Sequence, residues 1–157
     1  MIVVSDTTPI NYLVLIGAID VLPRLFQNVY TAPQVVSELV HSDAPEPVRR
    51  WAQRPPEWLK VVAPVIRLPS TARLDTAEAQ AISLAKEIKA SAILMDELKG
   101  RTVALREGLT VIRTLALIEL ASRKGVILLR PTLEKLRDTT FRLSDDLIRE
   151  ILARNPA

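Results

Sequence analysis

The chain has 157 residues, 48% hydrophobic and 25% charged, the make-up of one ordinary globular domain, which excludes disordered, collagen-like and fibrous classes. It holds no cysteine and a single histidine, His41, so disulfide scaffolds, zinc fingers, iron–sulfur clusters, cysteine nucleophiles and multi-histidine metal sites are excluded. A formal net charge of +3 is too small to identify a polyanionic partner, and 4% aromatic residues are too few for a base-stacking platform of the OB-fold or RRM kind.

In chain order, the first segment, MIVVSDTTPI, lacks a basic region and meets Asp6 early, so it does not read as an export signal. No apolar run approaches the ~20 residues that cross a bilayer; a cytoplasmic location without membrane contact is the expectation. Ile2-Val3-Val4-Ser5 is a short β-branched run, followed by Asn28–Thr31, Leu59–Val62, Ala92–Met95 and Leu109–Ile112. Runs of about four such residues, bounded by polar or turn signals, predict buried parallel strands. Helical patterns alternate with them: Ile10–Ile16 ending at Gly17, Pro33–Val40 opening on proline, and Ala77–Ile88 after Asp75 or Thr76 as N-cap. Leu98–Glu107 ends at Gly108, and Thr114 is expected to cap Leu115–Arg123, which ends near Gly125. The alternation predicts βαβ units around a parallel sheet, an α/β architecture in a single domain over 1–157.

The proline-rich stretch at 44–69 reads as an insert with one short helix, Val48–Gln53. From about 131 a helical tail follows, with segments Leu133–Arg137 and Ser144–Leu152, the second opening on an acid-rich turn that suits the helix dipole.

In an open parallel sheet, ligands bind outside the carboxyl ends of the strands. Asp6 and Asp96 stand at two such ends. A charge at the mouth of a buried strand is costly unless paired, and no lysine or arginine adjoins Asp6 in sequence, so a bound cation is an economical partner; the bland alternative is that each aspartate caps a helix. Glu38 borders the apolar stripe of Val35, Val36, Leu39 and Val40. Glu78 falls in a first helical turn, where capping and the helix dipole favour glutamate without any functional role. His41 reads as a surface residue. Should the four acids converge, two carboxylates about 4 Å apart repel by roughly 4 kcal/mol at an effective dielectric of about 20. Their pKa values must rise, or a hard divalent cation must neutralise them. Such a cluster suits metal-assisted phosphodiester cleavage.

Four segments taken together, Val4-Ser5-Asp6-Thr7-Thr8-Pro9-Ile10, Pro33-Gln34-Val35-Val36-Ser37-Glu38-Leu39, Leu74-Asp75-Thr76-Ala77-Glu78-Ala79-Gln80-Ala81-Ile82 and Ile93-Leu94-Met95-Asp96-Glu97 with Gly100-Arg101, resemble the PIN-domain nucleases. The likeness is strongest to the prokaryotic, toxin-like branch, with its DTSP-like, DxGEAxAI-like and LxDExxGR-like motifs. It implies an α/β/α sandwich with a magnesium- or manganese-dependent site that cuts RNA. By position it assigns Asp6, Glu38, Glu78 and Asp96 as catalytic metal-binding acids and Thr8 as a polar helper. It also implies a small antitoxin partner and a homodimer. Ala77 stands where relatives carry glycine, and Glu97 beside Asp96 leaves two acids competing for one position. Lys99 and Arg101, with Arg106 and Arg113, are placed to hold phosphates; Arg49, Arg50 and Arg54 form a second basic patch. A haloacid-dehalogenase-type phosphatase would need an aspartate where Thr8 stands. A catalytically inactive PIN-like binding module is the non-enzymatic alternative.

Overall fold

Each short β-branched run forms a strand, and the runs align into one sheet. The computed structural model describes residues 1–156. Strands β1 (Ile2–Ser5), β2 (Asn28–Thr31), β3 (Leu59–Val61), β4 (Ala92–Leu94) and β5 (Val111–Ile112) stand in the order β3-β2-β1-β4-β5. Every pairing is parallel; β1 sets Val4 opposite Tyr30 on one side and opposite Ile93 on the other. Val3, Val4, Ile93 and Leu94 are fully buried, which is why the central strands are continuous apolar runs rather than alternating ones. The buried Thr31 hydroxyl donates to the Ser5 carbonyl at 2.8 Å and ties the carboxyl ends of β1 and β2 together.

The helices are α1 (Thr7–Leu15), α2 (Val21–Leu25), α3 (Pro33–Leu39), α4 (Glu46–Gln53), α5 (Thr76–Glu87), α6 (Leu98–Arg106), α7 (Thr114–Arg123), α8 (Leu129–Arg137) and α9 (Asp145–Arg154). Around the sheet they complete the α/β/α sandwich. Among the described residues no helix is long and apolar enough to cross a membrane. Helix α1 stops where Gly17 takes φ +71°, a left-handed backbone open to glycine at no steric cost. Ser144 caps α9 by accepting from the Leu147 amide at 3.1 Å.

Several boundaries differ from the pattern reading, for local reasons. Helix α1 begins at Thr7, with Pro9 inside its first turn, where no amide is missed. The same tolerance lets α8 start at Leu129 around Pro131. Helix α4 begins at Glu46, with Pro47 in its first turn. Thr114 is not a cap but the first helical residue of α7. Helix α2 and a 3-10 turn at Pro69–Thr71 were not anticipated, being too short to show a period. The 44–69 stretch is held to the body at both ends. Val48 and Ala52 of α4 are buried in the core, and within the stretch Trp51 packs on Trp58 at the entry to β3, ring centroids 6.2 Å apart. The Leu68 amide donates to the Ser83 hydroxyl of α5 at 3.0 Å.

Candidate active site

The strand order reverses direction at β1. The chain steps outward through β2 and β3, then returns to the other side of β1 as β4 and continues to β5. Asp6 follows β1 directly and Asp96 lies two residues past the end of β4, so both stand at the crevice where such a reversal opens. The Asp6 amide donates to the Leu94 carbonyl at 2.9 Å, which fixes its backbone to the neighbouring strand.

Asp6 is only 4% exposed. It occupies the N-cap position of α1 but makes no capping bond with its side chain, and its Oδ1 is buried without a partner. The capping explanation therefore fails for Asp6. Burial pushes its carboxyl up to about 7; the Thr7 amide acts the other way, while the charges of Asp75, Glu38 and Asp96 push further upward.

Glu78 departs from its expected structural role. The cap of α5 is Asp75, which accepts from the Glu78 amide at 2.8 Å. The Glu78 carboxyl does not complete a capping box: it is buried, with Oε2 unpartnered. Burial first, then the Asp75 side chain against it and the charges of Asp6 and Glu97, raise it to about 8. It rests on bare backbone. A Cβ on Gly100 of α6 would lie 2.7 Å from Glu78 Oε2 and 2.6 Å from Met95 Sδ, so only glycine lets α6 approach this closely.

Asp96 is spent differently. Its Oδ1 accepts from the Thr114 amide at 2.7 Å and its Oδ2 from the Thr114 hydroxyl at 2.5 Å. It thus serves the first turn of α7 from another strand, while its charge still bears on Asp6. Glu38 lies on the exposed side of α3. Desolvation raises its carboxyl, the Thr7 hydroxyl eases the shift, and the Asp75 charge adds to it. Asp75 and Glu97 are thus part of the same electrostatic cluster. Sequence reasoning read Asp75 only as a cap. That role was correct but incomplete, because the cap position also points its charge at the strand ends.

A family model described as a PIN domain matches residues 2–155. The chain belongs to the PIN-domain family. No curated protein and no solved structure matches it. The PIN domain is a nuclease-type fold, and this one carries its acids at the sheet's carboxyl end.

Among the described residues of this PIN domain, no three acidic or histidine side chains stand as a ready-made ligand set for a metal ion. The donor chemistry nevertheless fits a hard divalent cation. Carboxylate oxygens dominate, Asp6 Oδ1 and Glu78 Oε2 are orphaned in a buried setting, and among the described residues no lysine or arginine pairs with these acids. Of the other sequence-selected residues, Thr8 is half-buried on α1 and Lys99 is exposed on α6. Arg101 is half-buried, with its Nε donating to the Asp96 carbonyl at 2.9 Å. The second basic patch is largely engaged: Arg49 donates to the Ser42 and Ala44 carbonyls, and Arg50 pairs with Glu46. Among the surface residues Arg106 and Arg113 stay exposed.

Proposed function

We propose that this PIN domain is a metal-dependent endoribonuclease. The observation that carries the reading is the pair of buried carboxylate oxygens, Asp6 Oδ1 and Glu78 Oε2, that the chain leaves without a cation or a donor. Such groups cost free energy in the folded state unless something external offsets them. Asp6, Glu38, Glu78 and Asp96 would hold magnesium or manganese. When bound, such a cation polarises a phosphoryl oxygen and makes water a better nucleophile at neutral pH. Thr114 keeps the Asp96 carboxylate in one orientation. Lys99 and the free end of the Arg101 guanidinium are near enough in sequence to Asp96 to receive flanking phosphates, with Thr8 as a neutral donor across the crevice.

Asp6→Asn and Asp96→Asn are each expected to abolish manganese-dependent cleavage of single-stranded RNA; cleavage retained in either variant overturns the proposal. The engagement of both Asp96 carboxylate oxygens by Thr114 and the lack of a preformed ligand set favour, as a second reading, an inactive binding module. Partner binding unchanged by Asp6→Asn, with no cleavage by the wild type, selects that reading. The resemblance to prokaryotic toxins extends the proposal to a small antitoxin partner and a homodimer, which co-expression with the neighbouring reading frame and sedimentation test.

A further inference from the structure

The acidic site continues sideways into an open cleft of about 420 Å³ between α1, α3 and the loop leading to α4, within the roughly 300–1,000 Å³ of small-ligand sites. Thr7 and Glu38 belong to both. The remaining polar walls are Asn11, one turn beyond Thr7 on α1, then Gln34 and Ser37, one turn apart on α3, and His41 from the loop. Among the described residues the side-chain amides of Asn11 and Gln34 and the hydroxyl of Ser37 have no partner of their own, whereas the Gln34 backbone amide is tied to Gln80 Oε1 at 3.0 Å. That bond holds the first turn of α3 against α5. His41 Nδ1 accepts from the Asp43 amide at 3.1 Å, so in the neutral ring Nε2 carries the proton and is a donor. Arg49 braces the loop through the carbonyls of Ser42 and Ala44. Leu39, Ala44 and Pro45 supply the apolar side.

No lysine or arginine lines this cleft, and Glu38 and Asp43 do. A phosphate is repelled there. A neutral, planar group bearing both donors and acceptors is not, and amide, hydroxyl and imidazole groups match the edge of an unstacked base. We infer that the cleft receives one unpaired nucleobase of an RNA strand whose phosphate lies at the acidic site, and that it sets which nucleotide is cut. The inference rests on the nuclease reading above.

The test measures binding of four homopolymeric RNA hexamers, without added metal, to the Asp6→Asn chain. One base is expected to bind about tenfold tighter than the weakest, the scale of one or two base-edge hydrogen bonds. Adding Asn11→Ala, or the exposed Ser37→Ala as a second variant, should shrink that ratio to about threefold or less while weak binders keep their affinity. Equal binding of all four, or a ratio unmoved by both variants, overturns the inference. A cleavage map separates the two claims. Cleavage by the wild type with a nucleotide preference that neither variant alters sinks the pocket and leaves the nuclease. Base-selective binding without any cleavage keeps the pocket and sinks the nuclease.

Discussion

Two glutamates, Glu78 on α5 and Glu119 on α7, are equally hidden, each 8% exposed, yet the chain treats them in opposite ways. Glu119 receives Arg154 Nε at 2.8 Å, Arg154 Nη2 at 3.0 Å and Asn155 Nδ2 at 2.7 Å. Those donors, the arginine first, hold its carboxyl below the ordinary glutamate value. Glu78 receives neither a cation nor a donor for Oε2, sits among other acids, and is pushed to about 8. Burial alone therefore does not distinguish a functional acid from a structural one. What the fold supplies to neutralise it does. Where the chain stabilises a buried carboxylate with its own arginine, the role is architectural; where it supplies neither cation nor donor, the carboxyl is pushed upward instead, and a cation there is what the proposed function would add.

Exchanging each glutamate for glutamine puts that contrast to its strongest trial. Glu78→Gln should lower manganese-dependent RNA cleavage by at least about a hundredfold, the scale of several kcal/mol of transition-state charge stabilisation. Glu119→Gln should leave the rate within about twofold, and comparable losses from both would erase the distinction.

Stability should move the other way. In metal-free buffer at pH 8, Glu78→Gln is expected to gain about 1–3 kcal/mol by removing an uncompensated buried charge, read from the denaturant midpoint. Glu119→Gln should lose about 2–4 °C in melting temperature through weakened charge-assisted bonds. The pH profile of the wild type sharpens the point. Asp6 and Glu78 titrate near 7 and 8 in the folded chain, above their ordinary 3.8 and 4.5. The folded state therefore binds more protons than the unfolded state between those limits. Their contribution is full below about pH 4 and is lost as pH rises through about 8. Glu119, shifted downward, contributes above the ordinary glutamate range and loses that contribution as pH falls through its lowered value. The metal-free melting temperature should thus decline from pH 5 to pH 8, and millimolar manganese should restore it at pH 8 by binding the folded state. A melting temperature that climbs steadily over that interval without metal would count against the whole contrast. A steric variant, Gly100→Ala, reaches the same contrast indirectly. The added methyl must displace Glu78 Oε2 or Met95 Sδ, costing on the order of 1–3 kcal/mol and reducing cleavage while leaving the Glu119 pair intact.

Much of the sheet was legible because its strands are short, β-branched and separated by turn residues. Asn28–Thr31 is one example, read and observed with the same ends. Helices with a full apolar period, such as α3 and α5, were equally plain. Helices of five residues or fewer, like α2 around Pro23, carry no period to detect. At the candidate site, Asp6 and Asp96 were visible as acids terminating apolar strands. For Glu78, spacing alone favoured capping, since first-turn glutamates are common for that reason, while the family resemblance put it among the metal-binding acids; only the tertiary contact with Gly100 shows its carboxyl turned inward. The Thr114 clamp on Asp96 joins residues 18 apart, and the Arg154 clasp on Glu119 joins residues 35 apart. No local pattern encodes either pairing, and the latter is what marks Glu119 as architectural.

The clasp gives the last turn of α9 a duty out of proportion to its size. Removing Arg154 and Asn155 would cost α9 only its last residue and its C-cap, yet it would strand Glu119 in the interior and turn a quiet structural acid into a copy of the predicament at Glu78. Tags or trimming at that terminus act on the middle of α7, far along the chain from the cut.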